Sequence, residues 1–313
     1  MKSQDNSISL IMISTNRSYA HTVRTHRILG IVVCLLLMAS QAMAQKLIER
    51  NLMLGISGIN QLETYLSPEK YQGTELRFIS QVTRETPLDA SQLTKAGVKD
   101  IDTERWSRQI THDAHIGTAH NRADNANFLS GFYHFTYTWL YRLVDTKVGK
   151  GVFQLKVGPA ADGIIGGVYS TRNGNNPAQL HLGANAAAAL TAQYTFKDSD
   201  SRYGWQRCLP VRISYEALLP VLGVQFSPNY GQSYYEIFSR GNYDHNVVCA
   251  TPFNAPTLRQ IVALDFNIGS GALRLGYIGE WKQSKFNDLK FHDWTNGFVI
   301  GYTKRFSITS HAL

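Results

Sequence analysis

The sequence predicts an all-β chain that folds as an antiparallel transmembrane β-barrel. Three observations point there. Residues 131–142 read GFYHFTYTWLYR, with a ring at every second position: Tyr133, Phe135, Tyr137, Trp139 and Tyr141. A period of two puts those rings on one face of an extended strand, whereas a helix would scatter them. Aromatic and β-branched residues also favour a pleated backbone. Second, alternating segments of this kind recur, separated by Gly, Asn, Asp, Ser and Pro turns, and no convincing helical stretch interrupts them. Third, the chain is 43% hydrophobic and only 17% charged, with 16 Tyr. No stretch after residue 45 reaches the ~18 apolar residues of a membrane helix. A chain that crosses a bilayer without such helices does so as a closed barrel.

The first 44 residues stand apart. Arg24, His26 and Arg27 precede an apolar run at 28–39, and Ala42-Met43-Ala44 follows it. Basic segment, short apolar core and small-residue site predict a secretory signal peptide at 1–44. The run is too short to span a bilayer, and an amino-terminal anchor is the alternative. Cys34 lies inside the run rather than after it, which disfavours a lipoprotein; Met12 is an alternative start. The whole chain carries a formal charge of +8; residues 1–44 hold four Lys/Arg and one Asp/Glu, so the mature chain carries +5. That charge is mild and evenly spread, so no nucleic-acid partner is expected. Residues 45–313 read as one barrel domain.

In order, strands are expected at 49–58, 74–85, 104–118, 131–142, 151–157, 164–170, 182–196, 211–217, 222–226, 260–268, 273–281 and 298–306. The segment 86–101 is a connection. Residues 158–163 (GPAADG) and 171–177 (TRNGNNP) read as turns, the latter with no phosphate-loop spacing. Residues 227–256 form a long surface loop. Gly269-Ser270-Gly271 closes a hairpin. This gives twelve strands; ten is the alternative. Membrane barrels have an even strand number and a periplasmic carboxyl end, so 227–256 becomes external. In the twelve-strand scheme Cys208 and Cys249 both fall toward the external end, where a disulfide is expected to be possible.

The alternation leaves open which face looks inward. With the apolar faces inward, the core would hold many Tyr hydroxyls, each needing a partner. With them outward, the rings meet lipid and small or charged residues fill the interior. Low charge, abundant Tyr and an export signal favour the outward reading and an outer-membrane location. The expected partners are outer-membrane lipid and the barrel-assembly machinery; whether small solutes or a surface glycan bind stays open.

Four stretches carry a family resemblance: LGISGINQLETYLSPEKYQGTELRF (54–78), YSTRNGNNPAQ (169–179), FSPNYGQSYYEIF (226–238) and FVIGYTKRFS (298–307). They resemble an uncharacterised domain-of-unknown-function family of exported Bacteroidetes proteins, hence of Gram-negative cells. The likeness covers nearly the whole mature chain. It implies an outer-membrane β-barrel and no assigned activity or catalytic residues. Phe306 resembles the aromatic of a barrel-assembly signal, although seven residues follow it.

Candidate sites follow from the alternation. Arg77, Arg212, Glu216, Asp265, Arg274, Glu280 and Arg305 are placed inward. They are expected to form an ion-pair network that fills a narrow barrel, because buried charges must be paired; a selectivity lining is the alternative. His181, Ser233 and His245, with Asp244, are weak catalytic candidates for a lipid hydrolase of the phospholipase or lipid A deacylase type, but no nucleophile motif surrounds them. His112 and His115 fall on opposite strand faces and His120 does not repair that geometry, so no metal site is expected, and no cofactor. Residues 230–236 belong to an aromatic girdle, or else stack on carbohydrate. The function expected is passage, scaffolding or surface interaction without chemistry. A soluble exported β-barrel binding protein is the remaining alternative.

Overall fold

The computed structural model describes residues 46–85, 105–174, 176–196 and 210–308. The expected signal peptide at 1–44, the connection at 86–101 and Cys208 lie outside the described residues. The strands are β1 (Lys46–Glu63), β2 (Ser67–Glu85), β3 (Trp106–Asn121), β4 (Asn127–Val148), β5 (Gly151–Ser170), β6 (Ala178–Phe196), β7 (Arg212–Phe226), β8 (Val247–Ala250), β9 (Thr257–Ile268), β10 (Gly271–Phe286) and β11 (Leu289–Ile308). One helix, α1 (Tyr234–Phe238), lies between β7 and β8.

Ten strands close a ring. Each of β1 to β6 pairs with the next in sequence, β7 pairs with β9, then β9–β10, β10–β11 and β11–β1, all antiparallel. The eleventh strand, β8, stands outside the ring and pairs with the last residues of β7. The count is therefore ten, not twelve, because two expected breaks are continuous strand. Residues 158–163 run through the middle of β5, and 218–221 through β7.

Both misread segments contain a proline, and in both the missing N–H falls where a ladder is interrupted. The β4–β5 ladder passes from Thr138↔Ala160 to Tyr141↔Val157 and skips Pro159. On β7, pairing with β9 ends at Leu218 and pairing with β8 begins at Gly223, so Pro220 sits at an unpaired edge.

The new count also moves the connections. The end that carries Lys46 and Ile308 (the terminal end) holds the tight turns at Gly149 and Gly269, each at φ +58. The far end holds residues 64–66, 122–126, 171–174, 176–177, the loop 227–256 and a two-residue hairpin at Asn287-Asp288. Both hairpin residues have positive φ, the requirement of a type I′ turn. Cys249 is exposed on β8 at the far end. The described residues nearest Cys208 in each direction, Phe196 and Pro210, belong to the opposite, terminal end.

Side chains divide as a period of two requires. On β4, Tyr133, Phe135 and Trp139 face out while His134, Thr136, Thr138 and Leu140 are buried. On β1, Leu52, Leu54 and Ile56 face out while Asn51, Met53 and Ser57 are buried. The interior is mixed. Toward the far end Tyr71 stacks on Phe128 at 3.6 Å between ring centres, beside Ile59, Phe132 and Phe291. Met53, Ile79, Ile278 and Val299 form a smaller apolar layer, and Ala160, Ala187 and Leu218 another.

Candidate functional site

The interior carries two layers of charge, and strand alternation places every member. The first lies toward the terminal end. Glu49 of β1 accepts two hydrogen bonds from the Arg212 guanidinium, both 2.7 Å, and one from Arg305 Nε at 2.6 Å. Asp265 accepts from Arg212 Nε at 2.6 Å and Arg274 Nε at 2.7 Å. Two carboxylates thus hold three guanidiniums. Beside them Gln81 and Gln109 donate to Glu216 at 2.7 and 3.3 Å. Lys156 bonds Glu85, which also faces Arg142.

The second layer centres on Arg77, whose side chain is wholly buried. It donates to Glu75 at 3.1 Å, Asp113 at 3.4 Å and Glu280 at 2.7 Å, three charge-assisted bonds from three different strands. Arg259 donates to Asp162 at 2.7 Å, and Asp162 also accepts from Thr136 at 2.8 Å. Lys282 lies 3.8 Å from Asp293 and 3.9 Å above the Phe132 ring. His115 and His134 stack with ring centres 5.7 Å apart. Donor atoms of His115, His134 and Glu280 lie within 4.8 Å of one another, a grouping of metal-ligand types where the sequence predicts none.

Of the seven expected interior charges, Arg77, Arg212, Asp265, Arg274 and Glu280 are buried. Glu216 is half-buried and takes amide donors; Arg212 turns to Glu49 and Asp265 instead. Arg305 is partly exposed at the terminal end. The expected set leaves out Glu49, Glu75, Asp113, His134, Asp162, Arg259 and Lys282. His134 had a signal, since it sits between two outward rings; Asp162 was hidden by the misread turn.

The three catalytic candidates have separate surroundings. His181 Nε2 lies 3.0 Å from Glu63 and its ring packs on Phe291. Ser233 caps α1: its hydroxyl accepts from the Glu236 N–H, and Glu236 accepts from the Ser233 N–H. This Ser-x-x-Glu capping box was a legible helix start inside the expected loop. His245 is exposed and bonds Asp244. In the connection between β1 and β2, burial and the nearby Glu236 and Glu63 push the Tyr65 hydroxyl up to about 12, and Tyr65 donates to the Gln232 carbonyl at 2.9 Å. His112 faces outward against Tyr133, and His115 inward.

Among the described residues a cavity of about 30 Å³, room for roughly two waters, adjoins each layer. One is lined by His134, Asp162, His181 and Lys282, the other by Glu49, Gln81, Arg212 and Glu216.

Similar solved structures are outer-membrane barrels. The transport unit of the autotransporter AIDA-I from Escherichia coli is 6% identical, with 82% of this chain and 89% of that chain covered and a TM-score of 0.40. An outer-membrane channel from Pseudomonas putida F1 is 8% identical, with 85% and 97% covered and a TM-score of 0.31. The translocator domain of the autotransporter NalP from Neisseria meningitidis is 12% identical, with 92% and 97% covered and a TM-score of 0.25. No curated protein matches the sequence. A family model does, over residues 28–312, and the chain belongs to that family, a protein family of unknown function designated DUF3316.

Proposed function

We propose that this protein is exported, sits in an outer membrane, and serves as a closed barrel that holds its far-end loop at the surface rather than as an open channel. The observation that carries the reading is the inversion of the wall: Arg77, Glu280 and Asp265 are buried, while Leu54, Ile56, Ile300 and Phe298 are exposed. In water that arrangement wastes the hydrophobic effect on the outside and desolvates charge inside; in lipid both costs vanish or are offset by pairing.

The outer face has membrane proportions. Trp294 and Tyr302, both outward on β11, are eight residues apart. That is about 27 Å along the strand and about 21 Å of height at a tilt of ~40°, close to the ~25 Å apolar band of such barrels. Among the described residues no helix is long and apolar enough to cross a membrane, so the strands are the spanning elements of this reading. The interior favours closure, because its charges bond one another across the lumen. On the far-end loop and beside it, Tyr230, Tyr235, Tyr243, Val247 and Phe253 are exposed.

Fractionation and bilayer recording test the two halves separately. The protein is expected in the detergent-requiring fraction with heat-modifiable gel migration, and with no stable conductance steps in planar bilayers. Recovery as a monodisperse protein without detergent would overturn the membrane assignment. Regular open-channel steps would overturn closure alone.

A further inference from the structure

We propose that His115, His134 and Glu280 form a divalent transition-metal site in the middle of the barrel, of the kind that takes Zn²⁺.

The topology brings the donors together. In the β3–β4 ladder Asp113 pairs with His134 and His115 with Phe132, so the two imidazoles are diagonal neighbours on the inner face. Glu280 reaches them from β10 across the lumen, with Glu280 Oε1 3.8 Å from His134 Nε2. The three residues are 2%, 3% and 2% exposed. Donors on a tetrahedral zinc at ~2.0–2.1 Å stand roughly 3.4 Å apart, so the set closes with side-chain movement on the order of 1 Å.

A second observation points the same way. Both ring nitrogens of His115 and both of His134 are buried without a hydrogen-bond partner. Buried imidazoles ordinarily satisfy at least one nitrogen, and here four are left; His134 Nε2 faces Glu280, whose other oxygen is held by Arg77 at 2.7 Å. Glu75 Oε2 and Asp113 Oδ1, also without hydrogen bonds, lie 4.0 and 3.6 Å from the His115 ring nitrogens.

Charge is the third. The buried groups of this layer are Arg77, Arg259 and Lys282 against Glu75, Asp113, Asp162, Glu280 and Asp293. With neutral imidazoles the layer holds an excess of two negative charges, which one divalent cation cancels. Two imidazoles with one carboxylate suit zinc and its borderline neighbours rather than calcium or magnesium, which prefer oxygen alone. Glu75, Asp113 or a water supplies the fourth position. Bound there, the ion ties β3 and β4 to β10 across the interior, a structural clip independent of whether the barrel lies in a membrane.

The test is zinc content. Untagged protein is folded into detergent with excess Zn²⁺, desalted and analysed by mass spectrometry of the metal, with folding followed by heat-modifiable migration. One zinc per folded chain is expected, lost in His115→Ala and His134→Ala and kept in His112→Ala, which alters an outward histidine on the same strand. Folded wild-type protein that retains no stoichiometric zinc would overturn the site. So would a folded variant carrying both His115→Ala and His134→Ala that keeps its zinc. Should the variants fail to fold, Co²⁺ loading of the wild type decides. Intense visible bands of a four- or five-coordinate ion, displaced by Zn²⁺, support the site, and their absence refutes it.

Discussion

Replacing Arg77 with alanine separates a filled, ion-paired interior from a loosely lined one. The guanidinium is fully desolvated and bonds Glu75, Asp113 and Glu280. Arg77→Ala removes one cation and strands three carboxylates, two of them on strands other than its own. Breaking a buried pair by removing one partner costs about 3–5 kcal/mol, because the remaining charge stays desolvated. That range lowers the folding equilibrium by roughly a hundredfold to several thousandfold. Arg305→Ala is the internal comparison. Its contact with Glu49 is shorter than any Arg77 makes, 2.6 Å, but its side chain is 42% exposed. Solvent screening holds such a pair to about 0–1 kcal/mol. Urea unfolding in lipid vesicles, read by tryptophan fluorescence and by gel migration, measures both variants. Losses that match within about 1 kcal/mol would refute the reasoning, since burial would then have had no effect on the cost.

Four further outcomes are expected. Leu54→Arg puts a charge on the outer wall beside Phe78 and Ile300 and should cost about 2–4 kcal/mol in vesicles; unchanged insertion would place that face in water. Gly158→Val should destabilise by at least about 1–3 kcal/mol, because even a Cβ there would lie 1.8 Å from the Trp139 carbonyl oxygen; wild-type unfolding would show that the wall gives way at this point. Cys249 should react with a bulky maleimide in the folded, unreduced protein, and protection lifted only by reductant would instead support the disulfide expectation. Tyr65 holds its proton more tightly when folded, so its contribution is intact below pH 10 and lost as pH rises toward about 12; Tyr65→Phe should lessen the alkaline loss of stability, and an unchanged profile would count against that role.

The wall was legible wherever packing is local. The row of rings on β4 announces its strand, and the alternation of Leu52, Leu54 and Ile56 sets the register of β1, because a period of two answers only to the pleat. Pro159 and Pro220 misled because proline chemistry is read as a turn, and only the ring's closure shows that each falls at a gap in pairing. The site was less legible for a different reason. Arg77 meets Glu280 across 203 residues and Arg212 meets Glu49 across 163. Those meetings depend on strand number and stagger, which the alternation leaves free. Facing direction was thus readable at Arg77, whereas its partners were not, and Arg259 lay one residue before its expected strand.

The ladder between β1 and β11 runs from Lys46↔Ile308 to Glu63↔Phe291 without a break in register. It joins the first of the described strands to the last, so it cannot begin until the chain has been made through β11. Until then β1 offers an open edge and a row of leucines with nothing beside them, the kind of template on which chains pair with the wrong neighbour. A chain with that edge open must be kept apart from its own copies, and the last seam to zip is the step that ends the exposure.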